Sequence, residues 1–224
     1  MKNKPLIIGI SGPAKSGKDT AARGLRAAVE TFDIPVAIAH LADPIREIGE
    51  VFGFTQEQMT VQSLKETYKH PTLGVTPRKF MQLVGSEMFR NNLDKDVWCK
   101  LLEKKIKDFV GTGDLGSDEQ REFDFGDRVW VPRCVVIVPD VRFPNEAETI
   151  KRLGGFIFKI ERPFLNGGDD WRKHESEEHL NEIEGAVITN KCPSAFEWSV
   201  CAPKNICSYL REKYGMHLSY ESDS

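Results

Sequence analysis

Leu6-Ile-Ile-Gly-Ile-Ser11 is an unbroken apolar run too short for a helix, the pattern of a strand covered on both faces in a parallel sheet. From Lys18 to about Thr31, residues Ala22, Leu25, Ala28 and Val29 recur at helical spacing, and Asp33-Ile-Pro35 supplies the stop. Val36-Ala-Ile-Ala-His-Leu41 predicts a second strand. Asp43-Pro44 then reads as an N-cap with proline at the first helical position, opening a helix that runs to near Phe52. Thr76-Pro77 is another such pair, and the helix it opens carries Phe80, Met81, Val84 and Met88 on one face. After Asp94 a helix resumes through Val97, Leu101, Leu102 and Ile106.

Between Gly111 and Arg133 the composition turns to Gly, Asp and Glu with scattered aromatics and no sustained period, which predicts a surface excursion with a short hairpin at Phe123 to Val131. Cys134-Val-Val-Ile-Val138 restores a buried strand, followed by a helix from about Asn145 to Leu153 that buries Ala147, Ile150 and Leu153. Phe156 to Ile160 and Ala186 to Thr189 are two more strands, separated by a polar stretch and a helix from Glu175 to Glu184. A closing helix is expected from about Pro203 to Tyr214. Strands alternating with helices predict an α/β fold, a mostly parallel five-stranded sheet with helices on both faces.

A chain of 224 residues, 40% hydrophobic and 29% charged, is enough for one sizeable core and fits one α/β domain with an excursion or two. A formal net charge of −3 provides no general polyanion-binding surface, so phosphate chemistry has to come from locally concentrated Lys and Arg, and no nucleic-acid polymer is expected as a partner. No apolar run approaches the length of a membrane span, so a cytosolic protein without a membrane partner is expected. Five cysteines, odd in number and without a C-x-x-C pair, indicate neither a disulfide framework nor a zinc site.

The chemistry is announced directly after the first strand. Gly12, four residues, Gly17 and Lys18 make the phosphate-loop spacing, in which backbone N–H groups face phosphates and the lysine reaches the β/γ oxygens. Its place between a buried strand and an amphipathic helix is the context that the motif requires, so the expected fold is that of a P-loop kinase binding ATP through Gly12, Lys15, Ser16, Gly17, Lys18, Asp19 and Thr20. Asp19 stands where a Ser or Thr hydroxyl on magnesium is usual, with Thr20 one place later. Either Thr20 takes over that role, or Asp19 holds the metal, or Asp19 merely favours the positive end of the helix. Lys15 is a second cation at the phosphates or an exposed loop lysine.

Val135 to Asp140 is an apolar strand that ends in a carboxylate, and in open α/β sheets ligands bind beyond the carboxyl ends of the strands. Asp140 is a candidate for the magnesium water shell or for orienting an acceptor, and Arg142 for gripping a phosphate; a structural Asp–Arg pair explains both as well. Arg46, Arg78, Lys79 and Arg90 lie on the helices between the second and third strands, where solvated arginines are the default. Trp98 either stacks on a base or completes the core. Arg162, Arg172, Lys173 and His174 flank Asn166-Gly-Gly168, a basic segment able to close over ATP as a lid, or a plain solvated loop.

Taken together the chain resembles the phage-type deoxynucleoside monophosphate kinases through most of its length. The resemblance is carried by Ser11 to Thr20 with its unusual G-K-D-T form, Leu41 to Arg46, Arg78 to Gly85 continuing through Asn91-Asn92 to Trp98, Ile137 to Arg142 with Glu146, Glu161-Arg-Pro163, His174-Glu175 and Val187 to Asn190. It implies ATP- and Mg2+-dependent phosphorylation of deoxynucleoside 5′-monophosphates to diphosphates, in nucleotide biosynthesis and, for a phage protein, in the host cytoplasm. Lys18 would bind the transferred phosphoryl group, with Asp140 and Arg142 beside it in catalysis. Asp19 and Thr20 would serve the nucleotide and metal. Ile45, Arg46, Arg78, Gly85, Trp98, Asp140, Arg142 and Glu146 would form the acceptor pocket, in a helical region of about 43–109, with a lid over about 162–184. Ala14 departs from the basic residue expected there, and the Gly111 to Arg133 excursion has no counterpart. Phosphomevalonate kinase of the animal type shares a similar K-S-G-K-D loop and strand-end Asp-x-Arg, dephospho-coenzyme A kinase is a more distant alternative, and a nucleotide sensor without turnover is a third. Monomer and homodimer are both left open.

Overall fold

The computed structural model describes residues 5–111, 132–163 and 179–216. Five strands form one all-parallel sheet in the order β2-β3-β1-β4-β5, with β1 Leu6–Ser11, β2 Val36–Ile38, β3 Val135–Val141, β4 Phe156–Glu161 and β5 Ala186–Thr189. The expected α/β class, sheet and strand count are therefore observed. β1 lies at the centre and every residue of it is buried. Successive residues of a strand point to opposite faces, and β1 has no polar side to offer. Leu6, Ile8 and Ile10 join the cluster beneath α1 (Lys18–Glu30) and the closing helix, while a Cβ on Gly9 would meet Ile150 and Ile157 on the other side. Burying each such Ile or Leu stabilises the fold by about 1.5–3 kcal/mol.

The described residues divide into two compact units, one made of residues 1–39 and 105–224 and the other of His40–Lys104. The second unit contains α2 Asp43–Val51, α3 Gln56–Thr60, α4 Gln62–Thr67, α5 Pro77–Gln82 and a π-helical stretch Leu83–Arg90; α6 Val97–Gly111 begins in it. Its core is aromatic, with the Phe54 ring 5.0 Å from Phe80 and 4.7 Å from His70. The first unit is completed by α7 Pro144–Arg152, a 3-10 turn His179–Glu182 and α8 Ala195–Tyr214.

Several expected boundaries move. β2 stops at Ile38, with only the Ala39 amide continuing its ladder to Ile137 O at 2.9 Å. Ala42 rather than Asp43 is the N-cap of α2; Asp43 is already helical, and its carboxylate reaches back to the His40 amide at 3.0 Å. Thr76 does cap α5, accepting from the Lys79 amide at 3.2 Å, but after Gln82 the helix widens into the π-helical stretch. That change of period turns Met88 outward at 59% exposure while Val84 stays buried. On α6 Leu101 is exposed, and Trp98, Cys99, Leu102 and Ile106 form the buried face. β3 runs on through Asp140 to Val141. The closing helix begins at Ala195 rather than Pro203, capped by Ser194. Of the expected helix at Glu175 to Glu184, residues 179–182 form the 3-10 turn; its start, the hairpin at Phe123 to Val131 and nearly all of the excursion lie outside the described residues.

Candidate functional site

The carboxyl end of β1 delivers the chain into the Gly12 to Thr20 loop, which turns back to start α1 at Lys18. Three residues of the loop have positive φ: Gly12 at 152°, Lys15 at 63° and Gly17 at 98°. At Gly12 a Cβ would lie 2.6 Å from Ile160 O and 2.9 Å from Ser16 Oγ, so glycine is required for space as well as for backbone conformation. Gly17 is the N-cap of α1, and its carbonyl accepts the first helical bond from Ala21 N at 2.9 Å. The first amides of α1 are thereby left without helical acceptors, at the positive end of the helix.

Lys18 is 7% exposed, and its Nζ donates to Pro13 O at 3.1 Å, so the ammonium is folded across the loop. Lys15 is exposed, and Arg162 Nη1 approaches its carbonyl at 3.4 Å. Asp19 is exposed and Thr20 half-buried in the first turn of α1. The hydroxyls of Ser11 and Ser16 are buried with no hydrogen-bond partner among the described residues, an imbalance of about 1–3 kcal/mol each that functional loops carry.

Pairing of Ser11 with Val141 sets the end of β3 beside the start of the loop. Asp140 and Arg142 are half-buried there. Glu146 is 4% exposed, and its Oε2 accepts from the amides of Arg142 at 2.8 Å and Phe143 at 3.1 Å. Its carboxylate thus holds the Arg142 backbone and opens α7.

The remaining expected acceptor residues lie in the His40–Lys104 unit. A Cβ on Gly85 would come within 2.8 Å of Ile45 Cδ1, and Trp98 Nε1 donates to Gly85 O at 2.8 Å, so Ile45, Gly85 and Trp98 form one packed group. Trp98 is 5% exposed, with its ring 5.4 Å from Phe89. Of the two readings of this indole, core packing is the one seen. Arg46 pairs with Asp43 at 2.8 Å, and its Nε is buried without a partner among the described residues. Arg78 is exposed and pairs with Glu66 at 3.0 Å. Arg172, Lys173 and His174 lie outside the described residues.

Two residues that touch the loop escaped sequence reasoning as site residues. Asn190 Nδ2 donates to Ser16 O at 3.0 Å, and Trp198 Nε1 donates to Gly17 O at 2.9 Å. The signal for Asn190 in the sequence is a polar residue at the carboxyl end of β5; Trp198 lies ahead of the expected helix start at Pro203, where no local pattern marks it.

Among the described residues no group of three or more His, Cys, Asp or Glu side chains could hold a metal ion, and no helix is long and apolar enough to cross a membrane. Asp19 and Thr20, in the first turn of α1, carry oxygen donors of the type magnesium takes, which is commonly bound by one or two protein groups together with substrate phosphates.

No protein-family model matches the chain. Among solved structures it is similar to the tunicamycin resistance protein of Deinococcus radiodurans, at 13% identity and a TM-score of 0.46 over 97% of this chain and 100% of that one. It is 28% identical over 114 residues to the deoxynucleotide monophosphate kinase of Escherichia phage RB69, covering 50% of this chain and 38% of that protein. A protein of Acanthamoeba polyphaga mimivirus, whose name provisionally assigns it as a deoxynucleotide monophosphate kinase, is 32% identical over 203 residues, or 85% of this chain and 92% of its own length. Similarity of that extent, over a chain whose central strand opens into a phosphate loop, shows that this protein belongs to the deoxynucleotide monophosphate kinase family.

Proposed function

We propose that this chain transfers the γ-phosphoryl group of ATP to a deoxynucleoside 5′-monophosphate, giving ADP and the deoxynucleoside diphosphate. The observation that carries the reading is the loop from Gly12 to Thr20, with the buried Lys18 ammonium folded across it and the first amides of α1 beside it. The relatives' names bring in the acceptor.

In phosphoryl transfer the charge spreads over the equatorial oxygens of the moving group, and catalysis consists of alignment and of stabilising that charge. Lys18 exchanges its bond to Pro13 O for the β/γ oxygens of ATP, and the amides at the start of α1 supply further donors. Lys15 and Arg162 add positive charge at the open side of the loop. Asp19 or Thr20 would hold magnesium, which would supply neutralisation of phosphate charge. Arg142, whose backbone Glu146 fixes, is a candidate to grip the acceptor phosphate, and Asp140 to orient it; Arg46 is a second candidate cation, on the His40–Lys104 unit. Ile45, Gly85 and Trp98, which pack as one group, and Arg78 serve the acceptor. The nucleophile is already an ionised phosphate, so no protein base is needed.

A coupled ADP-release assay over deoxy- and ribonucleoside monophosphates, phosphomevalonate and dephospho-coenzyme A tests the proposal. Turnover on one or more deoxynucleoside monophosphates is expected; activity on phosphomevalonate alone, or ATP binding with no acceptor-dependent ADP, overturns it. Lys18→Ala should cost about 10³-fold or more in turnover with the thermal melt preserved.

A further inference from the structure

Asn190 and Trp198 have no part in the reaction as described, yet each is buried and spends a side-chain donor on the phosphate loop. Asn190 is 3% exposed and binds Ser16 O at 3.0 Å; Trp198 is 2% exposed and binds Gly17 O at 2.9 Å. The approach is close on both sides, since a Cβ on Gly17 would lie 2.7 Å from Trp198 Nε1 and 3.0 Å from Asn190 Nδ2. We propose that Asn190 and Trp198 are positioning residues of the phosphate loop, fixing two successive peptide planes so that the Gly17 and Lys18 amides face the phosphates of ATP. The inference rests on the ATP-binding reading of that loop.

Peptide geometry makes the link. In a trans peptide the carbonyl of one residue and the N–H of the next point in opposite directions, and no cis bond occurs among the described residues. Drawing Ser16 O toward Asn190 therefore turns the Gly17 N–H the other way. Drawing Gly17 O toward Trp198 does the same for the Lys18 N–H. Glycine at position 17, with φ of 98°, has more conformations open to it than any other residue; Ala21 N holds its carbonyl from within α1, and the Asn190 and Trp198 donors add a hold on the two flanking planes from outside that helix. Donors already aimed at the place where charge develops spare the reaction the cost of reorganising them.

The anchors are themselves secured. The Asn190 backbone N–H donates to Glu161 O at 2.6 Å, and its side-chain Oδ1 accepts from Cys192 N at 3.2 Å, so backbone and carboxamide are each held by a bond of their own. Trp198 lies at the start of α8, which Ser194 caps by accepting from the Glu197 amide at 3.1 Å.

The test measures magnesium–ATP binding by calorimetry and steady-state kinetics on the full chain, in wild type, Asn190→Asp, Trp198→Phe and Ser194→Ala. Asn190→Asp keeps the oxygen that serves Cys192 and loses the donor to the loop; Trp198→Phe keeps a ring and loses the indole N–H. Ser194→Ala weakens α8 without touching the loop. Each anchor variant should raise the Kd and KM for ATP by about tenfold and leave the KM for the acceptor within about twofold. Ser194→Ala should lower the melting temperature and leave the KM for ATP within about twofold. Anchor variants that melt early while binding ATP like wild type would make both residues packing elements only and overturn the proposal. Wild-type protein that binds no ATP would overturn the reading of the loop, and this proposal with it. Wild-type binding with unaffected anchor variants overturns this proposal alone. Should Asn190→Asp fail to fold, Trp198→Phe decides.

Discussion

At the scale of single residues, the informative side chains are those whose buried polar atoms serve the backbone of the site. Glu146 was expected in the acceptor pocket, and its Oε2 is found holding the amides of Arg142 and Phe143. Removing it leaves two N–H groups without their acceptor, each worth about 1–3 kcal/mol when buried. Glu146→Ala should therefore lower the urea midpoint and, by freeing Arg142, raise the KM for the acceptor more than that for ATP. An unchanged midpoint would show that the two amides find other partners. Cys134, fully buried ahead of β3, carries a thiol pushed up by burial, with nearby Arg133 opposing the shift only in part. A raised thiol pKa means a protonated, unreactive sulfur at neutral pH. Iodoacetamide should label Cys134 only when the protein unfolds; fast native labelling would contradict its burial.

At the scale of elements, the crossing of α1 and α8 shows how a proline can sit inside a helix. Pro203 has no N–H to give Ser199 O, the carbonyl one turn earlier. On α1, Gly24 faces that same atom, and a Cβ there would lie 2.0 Å from Ser199 O and 3.1 Å from the Pro203 ring. The freed carbonyl is covered by the bare backbone of Gly24, which lets α8 come close enough for Trp198 to reach the loop. Gly24→Ala forces a methyl against backbone that cannot rotate away. It should cost about 1–3 kcal/mol or more, read as a melt lowered by several degrees, together with weaker ATP binding through Trp198. A wild-type melt would mean that the helices can part without loss. This crossing also explains what sequence could reveal. β1 is legible because a fully buried strand leaves a continuous apolar run, β4 and β5 because short apolar runs bounded by polar residues survive even where burial is partial, and the phosphate loop because its spacing is fixed. Pro203 was read as a helix start, since nothing local reveals a partner glycine far away in the chain. α4 buries no residue and so leaves no period, and the π-helical stretch breaks the 3.6-residue period that the eye follows. Asn190 and Trp198 matter through contacts with residues 16 and 17, a separation that spacing rules do not cover.

At the scale of the whole molecule, the residues proposed for ATP and those proposed for the acceptor fall unevenly between the two units. Every residue assigned to ATP lies in the unit that contains the sheet, as do Asp140, Arg142 and Glu146, while Ile45, Arg46, Arg78, Gly85 and Trp98 all lie in His40–Lys104. A net charge of −3 offers two polyanionic nucleotides no general attraction, so each must be held by its own local set of donors. Hydrogen exchange reads that division directly, because binding protects the amides a ligand orders. ATP alone should slow exchange in the Gly12 to Thr20 loop and the start of α1. A deoxynucleoside monophosphate alone should slow exchange around Ile45 and Gly85. In both cases β1 should remain among the slowest segments, since all of it is buried at the centre of the sheet, and α4, which buries nothing, among the fastest helices. Protection of the phosphate loop by the monophosphate alone, with no change in His40–Lys104, would mean that the acceptor enters by the loop and that the second unit does not recognise it.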